Sequence, residues 1–181
     1  MNLQLDRIPA EDIEDKFVKE ADPAKNPPPL DGTDLEILTV LADEGRLTNA
    51  AIASRVGIAE STCANRIRAL RDNGVIEGFR AHLNLAALGR PIEAIVKVRL
   101  SSHNRDNVMS FHESLRSMPG VLTAFHVAGE DDYLLHVAVP TPQALRDLVL
   151  DHITVNPAAR HTETQLVFEV VPGPGVLYEH P

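Results

Sequence analysis

The chain has 181 residues, 44% of them hydrophobic, and a net charge of −9 at pH 7. That length suits one or two small domains with enough apolar mass for a packed core, and the acid excess argues against a nonspecific coat on nucleic acid. The single Cys63 excludes an internal disulfide and a Cys-rich zinc site, and no apolar run approaches the roughly 18 residues of a membrane span.

Residues 1–29 form an acidic extension with 4 basic and 7 acidic side chains. It lacks the basic start and apolar stretch of a signal peptide, so a cytoplasmic protein without a membrane segment is expected. Ile13 and Phe17 sit one helical turn apart and suit a short amphipathic helix. Pro27 to Pro29 then read as an extended, flexible linker.

From residue 30 the period becomes helical. Leu35, Ile37, Leu38 and Leu41 make one apolar stripe, and Thr33 with Glu36 suggests a capping box. Gly45 ends that helix. Thr48 is the expected N-cap of a second short helix that buries Ile52 and Val56 and stops at Gly57. A third helix, in "AESTCANRIRALRDNG", puts Cys63, Ile67 and Leu70 on one face and ends at Asn73 and Gly74. "VIEGFRAHLN" reads as extended. Three short helices with a tight turn before the third predict a helix-turn-helix, winged-helix-like domain over 30–82. Residues 83–90 read as a linker.

After Pro91 the pattern changes again. "IEAIVKVRL" predicts a strand, "NRDNVMSFHESLRSM" a helix, "GVLTAFHVAG" and "DYLLHVAVP" two strands, "TPQALRDLVLDHI" a helix and "HTETQLVFEVV" a last strand. The order βαββαβ over 91–172 predicts a ferredoxin-like domain, making the chain α+β; residues 173–181 read as an irregular tail. Two helices cover one sheet face. The other is expected to present apolar side chains, at alternate positions of "IVKVRL", "LLHVAV" and "LVFEVV", to a second sheet of the same kind.

Charge is unevenly spread. Residues 45–80 carry Arg46, Arg55, Arg66, Arg68, Arg71 and Arg80 against three acids, a local excess of +3. Around the N-terminal half of the third helix, Ser61, Thr62, Asn65, Arg66 and Arg68 lie off its apolar face. Hydroxyls and a helix N-terminus hold phosphate oxygens, while Asn and Arg reach base edges. The same pattern fits an ordinary three-helix bundle with a solvated basic face. His126 and His136, on strands expected to pair, are the only suggestion of a metal site, and no nearby Cys, Asp or Glu spacing supports one. No phosphate loop, nucleophile elbow or HExxH motif occurs.

Several separated motifs resemble one family. Leu30-Asp31, Asp34, Ile37 and Leu38 match the "LDxxDxxIL" opening of the Lrp/AsnC (leucine-responsive, feast–famine) transcription regulators. Arg66, Arg68 to Leu70, Gly74 to Ile76, Gly78 and Phe79 match its continuation. "VAGEDDYLLHVAVP" resembles the "tGxxDyll" segment of its effector domain. The resemblance spans roughly 30–171 and departs at Ala59, where the family has a Ser N-cap.

It implies a regulator that binds double-stranded DNA through Thr48, Ser61, Thr62, Asn65, Arg66 and Arg68. It implies homodimers that build a higher oligomer, an octamer in the family pattern. It also implies an amino-acid effector and no resident cofactor, metal or catalytic residue. Asp132 would then accept from the ligand ammonium, with Asp131 and Tyr133 beside it. Backbone near Gly129, with Thr162 and Thr164, would hold the carboxylate. Gly129 is expected to free the backbone for a tight turn. Two other readings remain at this level: an enzyme resembling the siroheme decarboxylases, which share both domains, and an architectural DNA-compacting protein without an effector.

Overall fold

The computed structural model describes residues 29–102 and 105–177. The helix expected around Ile13 and Phe17 lies outside the described residues. Among the described residues the chain falls into two compact units, one of residues 29–81 with 174–177 and the other of residues 82–173.

The first unit contains α1 (Gly32–Asp43), α2 (Asn49–Val56) and α3 (Glu60–Asp72). Its core is Ile37, Leu41, Ile52, Ala53, Cys63 and Leu70, with Ile67, Val75 and Ile76 packed at the edge. The expected stripes therefore face inward, except that Leu35 in the first turn of α1 lies outside this core. The start of α1 differs from expectation. The N-cap is Asp31, not Thr33, and the reciprocal box pairs Asp31 with Asp34 rather than Thr33 with Glu36. A carboxylate at Asp31 accepts the Asp34 N–H at 2.9 Å, and the Asp34 carboxylate accepts the Asp31 N–H at 3.2 Å, so helix begins two residues earlier.

Thr48 caps α2 by accepting the Ala51 N–H at 3.2 Å. Gly57 closes α2 with φ of 76°, a left-handed conformation that glycine adopts without steric cost. The tight α2–α3 turn depends on it. No side chain caps α3, whose N-cap is Ala59. From Val75 to Pro91 the backbone forms no strand. An extended segment needs a neighbour to make a ladder, and none of the described residues of this unit supplies one.

The second unit contains β1 (Ile92–Leu100), α4 (Arg105–Leu115), β2 (Val121–His126), β3 (Tyr133–Val139), α5 (Pro142–Leu148) and β4 (Ala159–Leu166). The sheet is antiparallel with order β2-β3-β1-β4, the ferredoxin-like arrangement. Thr141 caps α5 by accepting the Ala144 N–H at 3.1 Å. The helix expected to run on to Ile153 instead widens into a π-helical turn, Val149–Ile153. In a continued α-helix Ile153 would sit about 140° round from Leu148. The wider turn swings Ile153 into the core, where it is buried with Leu145 and Leu148.

Period-two alternation splits the sheet into two faces. Ala94, Val96, Val98 and Leu100 on β1 point to the helices with Tyr133, Leu135, Val137 and Val139 on β3. The opposite face is more polar than expected. One row across it runs Phe125, Leu134, Lys97 and Glu163; the next runs Thr123, His136, Ile95 and Gln165. Lys97 pairs with Glu163 at 3.5 Å and His136 with Glu93 at 2.8 Å. The long apolar runs spend most of their branched residues on the helix side, so Ile95, Leu134 and Phe125 form only an apolar patch among polar pairs. The last strand ends at Leu166, short of Val171, although the Val167 N–H still donates to the Glu93 carbonyl at 2.9 Å.

Candidate functional site

The polar set expected on α3 divides by its position around the helix. At about 100° per residue, Ser61, Asn65 and Arg68 lie within about 40° of the line opposite Cys63. All three are exposed. Thr62, also exposed, sits at the margin of that face. Arg68 Nη1 donates to Asn65 Oδ1 at 3.2 Å.

Arg66 turns the other way. Its Nη1 donates to Asp31 Oδ2 and to Asp34 Oδ1, both at 2.8 Å. These are the two acids of the α1 capping box, so one guanidinium joins the start of α1 to the middle of α3. The Asp34 N–H, followed by Arg66, holds the Asp31 carboxyl below its ordinary value. Hydrogen bonds donated to Asp34 and then to Asp31 push the Arg66 guanidinium up. Arg66 is thus a brace rather than a free contact. Sequence reasoning had the means to find this: Asp31, Asp34 and Arg66 are opposite charges on helices that must pack together. Cys63 fills the core beneath, and burial raises its thiol.

In the second unit the acidic turn is not uniformly solvated. Glu130 and Asp131 both bind Arg99, at 2.7 Å to its Nη2 and 3.0 Å to its Nε. The Asp131 hydrogen bond comes first in raising Arg99. Arg99 was not among the expected site residues. An arginine near the end of a largely apolar strand, in a chain with an acidic tripeptide at a strand junction, was the available signal.

Asp132 is buried at 7% exposure. Its carboxylate accepts the Leu100 N–H at 2.7 Å and its own N–H donates to the Val98 carbonyl at 2.9 Å. β3 starts only at Tyr133, and the β1–β4 register shifts between Arg99 and Leu100. The Asp132 side chain therefore takes over a backbone position at which the ladder ends. Tyr133 is a core residue. It stacks on His126 with ring centroids 4.6 Å apart, meets Phe111 at 5.0 Å and donates to the Val108 carbonyl at 3.4 Å. Burial, then the Asp132 charge, raises its phenol.

Gly129 has neither a left-handed backbone nor neighbours within 4 Å of a Cβ position. The turn does not require glycine there, and the space beside it is open.

The expected effector residues do not converge within one chain. Thr162 and Thr164 sit opposite Val98 and Val96 on the helix-side face, whereas Asp131 binds Arg99, whose side chain belongs to the other face. His126 and His136 also part: His126 is opposite Tyr133 on the helix side, and His136 opposite Thr123 on the other. Among the described residues, no group of three His, Cys, Asp or Glu side chains is placed to hold a metal. No described helix is long and apolar enough to cross a membrane.

Comparison with known proteins fits this division. Residues 30–77 match the winged helix-turn-helix DNA-binding family, and residues 93–174 match the Lrp/AsnC ligand binding domain. The HTH-type transcriptional regulator AldR of Mycolicibacterium smegmatis is 38% identical over 148 residues, covering 82% of this chain and 86% of that protein. A leucine-responsive regulatory protein of Rhizobium meliloti is 37% identical, covering 78% and 91%. Among solved structures, a transcriptional regulator of Neisseria meningitidis in complex with L-Met superposes with a TM-score of 0.76 at 30% identity. It covers 80% of this chain and 94% of that one.

Proposed function

The chain belongs to the Lrp/AsnC family of transcriptional regulators, and from that premise we propose how its two units divide the task. The first unit reads double-stranded DNA with α3. Ser61, Thr62, Asn65 and Arg68 face the duplex, Thr48 sets the start of α2, and Arg66 fixes α3 in place. The observation that carries this is the exposed polar side of α3, which is backed by Cys63 and Leu70 and held in place by Arg66. The protein acts as a regulator and not as an enzyme, needs no resident cofactor, and works in the cytoplasm.

The second unit takes a small effector, an α-amino acid. The reading draws on the matched ligand-binding domain and on the relative solved with L-Met. The acidic turn supplies the ammonium site, with Asp131 as its partly enclosed carboxylate and open space beside Gly129. Asp132 and Tyr133 shape that turn from behind. Thr162 and Thr164 lie on the opposite sheet face, so they would join such a site only from a second copy of the chain. An effector that binds one assembly of homodimers more tightly than another shifts the spacing of the DNA-reading units; an octamer of four dimers is the assembly expected from the family.

A thermal-shift screen of the twenty amino acids, with and without a bound DNA duplex, tests this. A true effector stabilises the fold by about 2.7 kcal/mol at a hundredfold excess over its Kd, and alters DNA affinity at the same concentration. A screen in which no amino acid moves either reading rules out the effector proposal. A gel-shift series in which Asn65→Ala and Arg68→Ala both bind as the parent does rules out the DNA-reading face.

A further inference from the structure

Residues 83–90 read as a plain linker, yet most of them are built into the second unit. The Asn84 side chain accepts the Ala87 N–H at 2.9 Å. The Leu88 N–H donates to the Asn84 and Leu85 carbonyls at 3.2 and 3.1 Å, and the Arg90 N–H closes the turn on the Leu85 carbonyl at 2.9 Å. Gly89 supplies the left-handed conformation at that closure, with φ of 73°. Arg90 then ties the turn down. Its Nη1 donates to the Ala138 carbonyl at 3.2 Å in a partly buried contact. Ala138 sits near the end of β3, where its N–H donates to the Gly120 carbonyl at 2.8 Å.

The preceding residues are held from the other side. Phe79 lies against the turn that follows α1, its Cδ1 3.5 Å from where a Gly45 Cβ would stand. Between these anchors lie Arg80 to Leu83. Among the described residues, none of their backbone N–H groups donates a hydrogen bond. The chain returns to the first unit at Pro174, but Val171 and Val176 are largely exposed on that return, so it is a poor second anchor.

We propose that residues 80–83 are the joint of the connection between the two units, and that Arg90 is the positioning residue that keeps this joint short. A joint of four residues reaches roughly 14 Å, and one that ran on to Arg90 would reach roughly 38 Å. The effective concentration of a tethered unit falls as about the three-halves power of tether length, so releasing the turn dilutes the second reading unit of a homodimer about fivefold. Arg90 thereby sets how strictly the protein demands one spacing between DNA half-sites.

This role rests on the reading of the first unit as the DNA-binding part, and two measurements separate them. The first is hydrogen exchange of the full chain without DNA. Amides of Leu88, Gly89 and Arg90 should be protected and those of Arg80 to Leu83 should not. Arg90→Ala should release the turn, and Asn84→Ala should open it from its other end. The second is a gel-shift series on a duplex selected by the parent from a random pool, rebuilt with its half-sites moved apart in single base-pair steps. The parent should lose on the order of tenfold when the spacing is wrong by about five base pairs, half a helical turn. Arg90→Ala should bind the best spacing about fivefold more weakly, with a flatter profile, and bind a single half-site as the parent does. Arg90→Lys, which keeps a donor, should recover part of the profile. Parent amides of Leu88 to Arg90 that exchange as fast as those of Arg80 to Leu83 overturn the short joint. Arg90→Ala amides as protected as the parent's, or a released turn with the parent's spacing profile, overturn the role of Arg90. A parent that selects no duplex overturns the DNA-binding reading, and the exchange pattern then decides the joint by itself.

Discussion

Each unit holds one arginine between two carboxylates, and the two clamps differ in what lies beneath them. Arg66 joins the cap of α1 to α3 over a core of six buried residues. Arg99 joins β1 to the acidic turn over a core of fifteen. Three short helices leave few buried contacts to fix the pose of α3, so an ion-paired brace at its flank matters for orientation. In the second unit a four-stranded ladder and two helices already fix β1. There Arg99 sets only the conformation and charge of a turn. The same chemical device orients a reading head in one unit and trims a surface in the other.

The comparison is broken most easily through the cores. Ile37 is fully buried in the small core, and Ile37→Ala should cost about 2–5 kcal/mol. A domain of this size has little stability to spare, so amides of α1 to α3 should lose hydrogen-exchange protection. Leu135→Ala makes a similar cavity in the larger core and should leave a sheet that is weakened but still protected. Equal loss of protection in both units under Ile37→Ala would remove the distinction drawn here.

A smaller effect is expected at Asp132. Asp132→Ala strands the Leu100 N–H, a penalty of about 1–3 kcal/mol, and should lower the Tm of the second unit. Asp132→Asn keeps a carbonyl that can accept from Leu100 and should recover part of the loss. If Asp132→Ala instead leaves Tm unchanged and weakens only the effector, its carboxylate is a ligand and not a ladder end.

Much of this was legible in the sequence, for reasons that differ by element. The stripes of α1 to α3 and the alternation of β1 and β3 are local periodicities, and they place the cores correctly. Boundaries set by a single side chain were harder. Asp31 and Thr33 are both acceptable N-caps by residue type, and the choice falls to Asp31 because Arg66 neutralises both acids of its box. The π turn at Val149–Ile153 follows from where the core needs Ile153, which no local pattern shows. In the candidate site, Ser61, Asn65 and Arg68 were readable from the helical period. The brace at Arg66 and the clamp at Arg99 join residues 31 to 35 positions apart, so they appear only once the fold brings those residues together. Asp132 was expected to accept from a ligand ammonium; its place just before β3 turns it inward to the Leu100 N–H.

The first clamp also has a pH signature. The Asp31 carboxyl lies below its usual 3.8 in the folded chain, first through the Asp34 N–H and then through Arg66. A depressed carboxyl contributes stability that is present above the unfolded value and lost as pH falls through the folded one. Asp31→Asn keeps a cap acceptor and removes the charge. The stability difference between parent and variant should therefore be constant around neutrality and close as the solution is acidified below 3.8. Acid titrations of both chains, followed by far-UV circular dichroism, check this. A difference that persists at the acid end would assign the effect to the cap hydrogen bond and not to the ion pair.

The smallest effect is expected at Glu130, and it sharpens the contrast within the second clamp. The Glu130 side chain is 79% exposed and Asp131 only 17%, although both reach Arg99. An exposed ion pair gains little, because water screens it and a long side chain must be held still. Glu130→Gln should thus change stability by less than about 0.5 kcal/mol. Asp131 is more enclosed and is the proposed partner of the effector ammonium, so Asp131→Asn should weaken an identified amino acid by about tenfold, the loss of one charge-assisted hydrogen bond. Glu130→Gln should leave that affinity nearly as it was. Calorimetric titration of the amino acid into both variants gives the ratio. Equal weakening by the two substitutions would mean that the turn acts through its summed charge, and that Arg99, not Asp131, is the group the ligand competes for.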